Sequence, residues 1–570
     1  MVLCSVSAFE PAFEPVLEKL TAGLEPVCDV CKAGVEAVQE VWLHGTVLQD
    51  GVIDLVVAIC EYKKIPKAMC TGLIPPFAEV VIPAIGNHYL SPEFLCYKAH
   101  LCSTPKYVEM NVTQVVQSIL ADAPPALSWP EPGPVAYRFL HVSDIHVDLL
   151  YQAGSAMSCP YESCCRFDLG TTNETTEQAG YWGALSNCDP PIRTVEAFLQ
   201  QAAGLDIDFV LWTGDNPSAD YWLYNRETHL QNSQALTDLF LQYFPGVPVY
   251  PIMGNHACYP QDQFHLGNEQ WLTGGLADMW SVWLNPESQA TFADNAYFSQ
   301  KDNRTGLRIL GINTQMCDNL NLWLILNDTD PGNHLEWLRQ ELYEAEASGE
   351  LVLIIGHIPM GDHFCSSTWS TIYRAVVNRF RNIIRGQFFG HTHLDMFQVV
   401  SSLTPNDPPA GVLYIVPSFT THTAHQPSFR VFEMDADTLQ IVDYANYRLN
   451  LPLANQNPSQ QPVWDLAYTA KAEYSLPDLS PASWSSLSLD FQDSNSPLLA
   501  KYWKNYANEY PHPGPLTGNQ SIAEAMHKEL WCGTSNAVFD ELVQCAGLVG
   551  GDHTFKLLQE LAGPWQNLVA

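Results

Sequence analysis

Seven short apolar runs punctuate the middle of the chain: YRFLHV from Tyr137, DFVLWT ending at Thr213, PVYPIM from Pro248, LRILGIN from Leu307, LVLIIG from Leu351, GQFFG ending at Gly390 and VLYIVP from Val412. Each gives way to a polar loop, and stretches of helical periodicity lie between them. Runs of this length can be buried strands or buried helix segments. Their alternation with helical stretches predicts an α/β layered domain over 137–452.

Before that region the pattern is helical. Val27, Val30, Val35, Val38, Val41 and Trp42 recur at helical spacing among Cys28, Cys31, Cys60, Cys70, Cys96 and Cys102, which predicts helices stapled by disulfides over 25–106. Spacing alone does not choose among the pairings. Residues 1–24 form a short leading segment. In 107–136 the stretch ADAPPALSWPEPGPV carries five prolines and a glycine, which disfavour regular helix and predict an extended spacer. After residue 452 the texture turns to proline- and serine-punctuated segments and then to helical stretches such as Ser521–Trp531 and Phe555–Leu561. We read 453–570 as a helical C-terminal extension with Cys532 and Cys545 as a staple.

Charge narrows the partners. Lys and Arg number 26 against 62 Asp and Glu, a formal charge of -36, so the long-range field repels nucleic-acid phosphates and anionic surfaces. Sixteen cysteines, together with Asn-x-Ser/Thr sequons at Asn111, Asn173, Asn303, Asn327 and Asn519, favour an oxidising, secretory route. The N-terminal MVLCSVSAFEPAFEP lacks the basic and apolar regions of a signal peptide, and a mature or trimmed chain is expected. No run reaches the roughly 20 uninterrupted apolar residues of a bilayer span, so no transmembrane segment is expected.

Chemistry enters with the loops. Five of them, each following an apolar run, present ligand-type residues in order: Asp144-Ile-His146, Gly214-Asp215, Gly254-Asn255-His256, Gly356-His357 and Gly390-His391-Thr-His393. Any one of these residues alone has an ordinary structural use as a cap, a core histidine or a turn. The ordered set instead suits zinc or another first-row cation bound by imidazole nitrogens and carboxylate oxygens, with glycines allowing the backbone to turn tightly.

These blocks resemble the calcineurin-like metallophosphoesterases, whose motifs run D-x-H, G-D, G-N-H, G-H and G-H-x-H. The resemblance implies two Zn²⁺ ions, one held by Asp144, His146, Asp215 and His393 and the other by Asp215, Asn255, His357 and His391. A hydroxide between them would attack phosphorus, and His256 would contact the phosphate or protonate the leaving oxygen. Purple acid phosphatases carry a tyrosine where this chain has Ser218, which argues against an iron enzyme. The C-x2-C, C-x9-C, C-x5-C order resembles the saposin-type lipid-binding domain, whose nested pattern implies Cys28–Cys102, Cys31–Cys96 and Cys60–Cys70.

A saposin-type domain, a Pro-rich linker, a phosphoesterase core and a helical tail together resemble the acid sphingomyelinase family, from about Cys28 to Cys545. The resemblance implies an α/β metallophosphoesterase sandwich with an N-terminal all-α saposin-type domain and a helical C-terminal extension. It also implies the pairs Cys159–Cys164, Cys165–Cys188, Cys317–Cys365 and Cys532–Cys545, leaving Cys4 and Cys258 unassigned. The expected activity is hydrolysis of sphingomyelin to ceramide and phosphocholine at a membrane surface or micelle. The saposin-type domain would make peripheral membrane contact, and the protein would be secreted or lysosomal. The chain departs from the family at one point: members carry a histidine four residues after the Gly-Asp aspartate, and here that position is Ala219. Asp220, Tyr221, His229, His265, His422 and His425 are further candidates for the missing proton donor. Two other readings remain, a phosphodiesterase acting on nucleotides or other soluble diesters and a lipid-binding homologue with weak turnover.

Overall fold

The computed structural model describes residues 27–98, 111–171, 177–326, 329–506, 508 and 520–547. The chain divides into two compact units, residues 1–111 with 322–329 and residues 112–321 with 330–570.

The first unit contains helices Val27–His44, Thr46–Tyr62, Lys67–Asn87 and Pro92–Lys98. Disulfides Cys31–Cys96 and Cys60–Cys70 tie the first helix to the fourth and the second to the third, as the saposin-type resemblance implies. The expected Cys28–Cys102 pair involves Cys102, which with Cys4 lies outside the described residues. Helix Thr46–Tyr62 leaves Val52, Leu55, Val56, Ile59 and Tyr62 exposed at helical spacing, an apolar stripe along one face. Among the described residues, Lys67–Asn87 is one helix long and apolar enough to cross a membrane by length and composition. It contains Pro75, Pro76 and Pro83.

The second unit holds two six-stranded sheets. Its strands are β1 (Val135–Val142), β2 (Phe209–Trp212), β3 (Val249–Pro251), β4 (Phe298–Lys301), β5 (Arg308–Gly311), β6 (Val352–Ile355), β7 (Ile384–Phe389), β8 (Met396–Val400), β9 (Gly411–Ile415), β10 (Ser428–Asp435), β11 (Ile441–Leu449) and β12 (Trp464–Thr469). All seven predicted runs are strands. One sheet runs β12-β11-β10-β1-β2-β3 and the other β4-β5-β6-β7-β9-β8. Strands β1, β2 and β3 are mutually parallel, as are β5, β6, β7 and β9, while β4, β8 and β10–β12 add antiparallel edges. Aromatic rings fill the space between the sheets: Phe139 stacks on Phe209 and Phe432 and meets Phe388 of β7 edge-on with centroids 5.3 Å apart.

The Pro-rich stretch is anchored along its length. Asn382 accepts from the Leu127 amide and donates to the Pro125 carbonyl, both at 3.0 Å, and Asp122 pairs with Arg379. Residues 107–136 also include a helix, Val112–Leu120, whose Ile119 joins the core beside helix Ser367–Phe380. Beyond 452 the described residues form strand β12 as well as helices, among them Pro481–Asp490, Pro497–Tyr506, Gln520–Ser535 and Phe539–Ala546. Cys532–Cys545 joins the last two, while the predicted helical stretch Phe555–Leu561 lies outside the described residues. The pairs Cys159–Cys164, Cys165–Cys188 and Cys317–Cys365 are formed, and Cys258 is free and buried.

Candidate metal centre

The five ligand-bearing loops leave the carboxyl ends of β1, β2, β3, β6 and β7, where open α/β sheets place ligands. The first two are zipped together by main-chain bonds, from the Asp144 amide to the Gly214 carbonyl (3.1 Å), His146 to Asp215 (3.0 Å) and Val147 to Asn216 (2.9 Å). Asp144, His146, Asp215, His391 and His393 all have φ between 46° and 71°. That region is sparsely populated by residues other than glycine, and strained backbone of this kind clusters at functional sites. The glycines permit close approach: a Cβ on Gly254 would collide with the Asp215 carboxylate, and one on Gly390 with Ser143 and Asp144.

Every predicted site residue is in this cluster. Asp144, His146 and His393 form one group of donor atoms, and Asp215, His357 and His391 form another, with the atoms in each group within 4.8 Å of one another. Asn255 joins the second, its Oδ1 lying 2.9 Å from His357 Nε2 and 3.0 Å from His391 Nδ1. Asp215 Oδ2 faces both groups, 3.6 Å from His146 Nε2 and 3.1 Å from His357 Nε2.

The donor atoms fit divalent cations on hydrogen-bonding grounds. His146 Nδ1 lies 2.8 Å from the Pro217 carbonyl oxygen, and His357 Nδ1 lies 2.7 Å from that of Thr213. A carbonyl only accepts, so each Nδ1 carries its proton and each Nε2 turns a lone pair to the centre. His146 Nε2 is buried without a hydrogen-bond partner, facing carboxylate oxygens that also only accept. A cation between these acceptors satisfies them all.

Without a cation, a proton partly substitutes. Burial lowers the His357 pKa, but Asp215 and Asp144 outweigh it and raise the imidazole to about 9. Because the folded value lies above the ordinary 6.5, the stability this proton supplies is fully present below about pH 6.5 and is lost as pH rises through 9. A ligated imidazole must lose that proton. Cation binding near pH 7 should therefore release close to one proton from His357, and affinity should rise toward pH 9. Titration in weak buffer with pH recording checks this; His357→Ala should lower the release by about one proton.

His256 flanks the ligands, its ring centroid 4.8 Å from that of His146. Its main-chain amide donates to Asp215 Oδ1 at 2.9 Å, its Nε2 lies 3.1 Å from Gln261 Nε2, and its buried Nδ1 has no hydrogen-bond partner. Of the other candidate donors, His425 has its ring centroid 6.3 Å from that of His393. Asp220 is engaged by Arg166 and by the Ser218 hydroxyl, and His229 is buried against Tyr224, Tyr259 and Trp271. His422 meets the Glu162 carbonyl, His265 meets Asn268, and burial pushes the Tyr221 phenol well up. Ala219 is itself buried, its amide donating at 2.6 Å to Asp189, whose other oxygen accepts from Thr420. Asp189, Arg166 and Asp262, which brace these loops, were not legible as site residues from the sequence.

The fold and this cluster define a metallophosphoesterase. The calcineurin-like phosphoesterase family matches residues 137–395, and the acid sphingomyelin phosphodiesterase C-terminal region matches 409–513. Sphingomyelin phosphodiesterase B of Dictyostelium discoideum is 33% identical over 86% of this chain and 78% of its own, and human sphingomyelin phosphodiesterase is 32% identical over 80% and 74%. The chain belongs to the sphingomyelin phosphodiesterase family and is an enzyme of that kind, with donor clusters that support a divalent-metal requirement. More distantly, human cyclic GMP-AMP phosphodiesterase SMPDL3A is 28% identical over 66% of this chain and 84% of its own. Membership and the disulfides are consistent with a secreted or lysosomal protein.

Proposed function

We propose that the protein hydrolyses sphingomyelin to ceramide and phosphocholine with two zinc ions, one on Asp144, His146, Asp215 and His393 and one on Asp215, Asn255, His357 and His391. The observation that carries this reading is Asp215 Oδ2, which faces both donor groups within a family of sphingomyelin phosphodiesterases. Held there, such cations would lower the pKa of a bound water and neutralise charge on phosphoryl oxygens. Asp215 reduces the repulsion between the sites. The Pro217 and Thr213 carbonyls fix the His146 and His357 tautomers, so both lone pairs stay turned inward. As water adds to phosphorus and the bond to the ceramide oxygen breaks, His256 supplies the proton that oxygen needs.

Residues 25–106 would present the lipid through the exposed stripe on Thr46–Tyr62, with 107–136 a linker, 137–452 the catalytic domain and 453–570 its C-terminal extension. The protein would act after secretion or in lysosomes, at membrane surfaces or micelles, and not on nucleic acid. Similarity to SMPDL3A supports a second reading, hydrolysis of nucleotide diesters. Phosphocholine release from sphingomyelin micelles, measured with Zn²⁺ at acid and neutral pH beside a nucleotide diester, separates them. Turnover of the lipid is expected to dominate. Nucleotide turnover alone would favour the second reading, and neither would point to a lipid-binding homologue weakened at Ala219.

A further inference from the structure

Asn255 is the only ligand candidate whose side chain has two ends of nearly equal shape and opposite function. Its oxygen can ligate a cation and its NH₂ cannot, so something must choose which end faces the centre. Asn255 Nδ2 donates to Asp262 Oδ1 at 2.7 Å. That leaves Oδ1 facing His357 Nε2 and His391 Nδ1 at 2.9 and 3.0 Å. Both side chains are buried, and the bond is returned through the backbone, where the Asp262 amide donates to the Asn255 carbonyl at 3.2 Å. Asp262 also holds φ at 64°, a conformation costing a residue other than glycine on the order of 1 kcal/mol, which the closed loop over 255–262 maintains. Among the described residues Asp262 forms no ion pair with Lys or Arg, and its side chain accepts from the Asn255 amide and from Gln261.

We infer that Asp262 is a positioning residue: its carboxylate holds the Asn255 amide with the oxygen toward the second cation and so sets the affinity of that cation without touching it. An acceptor oxygen suits the task because Nδ2 donates to it, whereas the flipped amide would set the Asn255 oxygen against Asp262 Oδ1 at the same short separation. The inference rests on the two-cation reading above. Because it acts through Asn255, it predicts a selective weakening of one site.

The test titrates Zn²⁺ alone into the cation-free full chain and reads stoichiometry and stepwise affinity, with elemental analysis as a check. Wild type should take up two cations. Asp262→Leu should keep the first affinity and lose about 10- to 100-fold in the second, the usual range for removing a partner that orients a metal ligand. Asp262→Asn, whose own amide can present either its oxygen or its NH₂ to Asn255, should give a second affinity between those of wild type and Asp262→Leu. In an Asn255→Ala background, Asp262→Leu should cause no further loss, because the residue then has nothing to aim. Thermal melting of the cation-free proteins verifies folding, and Asp262→Ala serves the same comparison if the leucine variant does not fold. An unchanged second affinity in Asp262→Leu, equal weakening of both sites, or a further loss in the Asn255→Ala background would overturn the inference. Uptake of a single cation by wild type would instead overturn the two-cation reading.

Discussion

Asp215→Asn should lower turnover of the diester by roughly 10³-fold or more and lower metal content with it. The estimate follows from geometry. Asp215 Oδ2 is the donor atom that faces both His146 and His357, while its Oδ1 receives the His256 amide. A cation supplies several kcal/mol of charge stabilisation in the transition state, and each ~1.4 kcal/mol is tenfold in rate. The amide keeps the size of the carboxylate but removes the charge that lets two dications sit close together. It can also turn an NH₂ toward His357. Elemental analysis after dialysis, run beside the phosphocholine assay, tests this. Two retained cations with undiminished turnover would contradict the shared-ligand assignment. Asp144→Asn provides the comparison: Asp144 lies within hydrogen-bonding or ion-pair range of His393 and the His391 amide. Its loss should weaken the first site more than the second.

The candidate ligands were legible because each lies within a few residues of the end of a strand, so one local block of sequence records both the turn and the donor. Gly254 illustrates this: its missing side chain is what lets the Asp215 carboxylate sit against the next loop, and the Gly-Asn-His triplet shows it. Residues that brace the ligands are harder to see. Asp262 acts across a closed loop, and Arg166 joins Asp148, Asp168 and Asp220 only once three separate segments meet. A sequence scan meets these as ordinary charged residues. The same contrast holds for the strands. The seven apolar runs lie mostly inside the sheets and read clearly, whereas β4 (FSQK) is a short, half-polar edge. Strand β12 falls in a segment read as helical because pairing with β11 decides its conformation, and that pairing is a tertiary event.

With Ala219 where the family carries a histidine, His256 is the proposed proton donor, and His256→Ala should cost about 10²- to 10⁴-fold in turnover of sphingomyelin while both cations are retained. Burial outweighs the pull of Asp215 and holds this imidazole well below the ordinary histidine range, so it carries its second proton only in acid. The loss on substitution should accordingly be largest at acid pH and shrink toward neutrality. The leaving group offers a sharper check. A ceramide alkoxide needs a proton as the bond to phosphorus breaks, whereas a p-nitrophenolate does not, so His256→Ala should cost far less on a p-nitrophenyl diester. An equal loss on both substrates would assign His256 to phosphate binding instead. His425 lies 6.3 Å from His393 by ring centroids. If it carries the proton instead, His425→Ala will show the leaving-group dependence and His256→Ala will not.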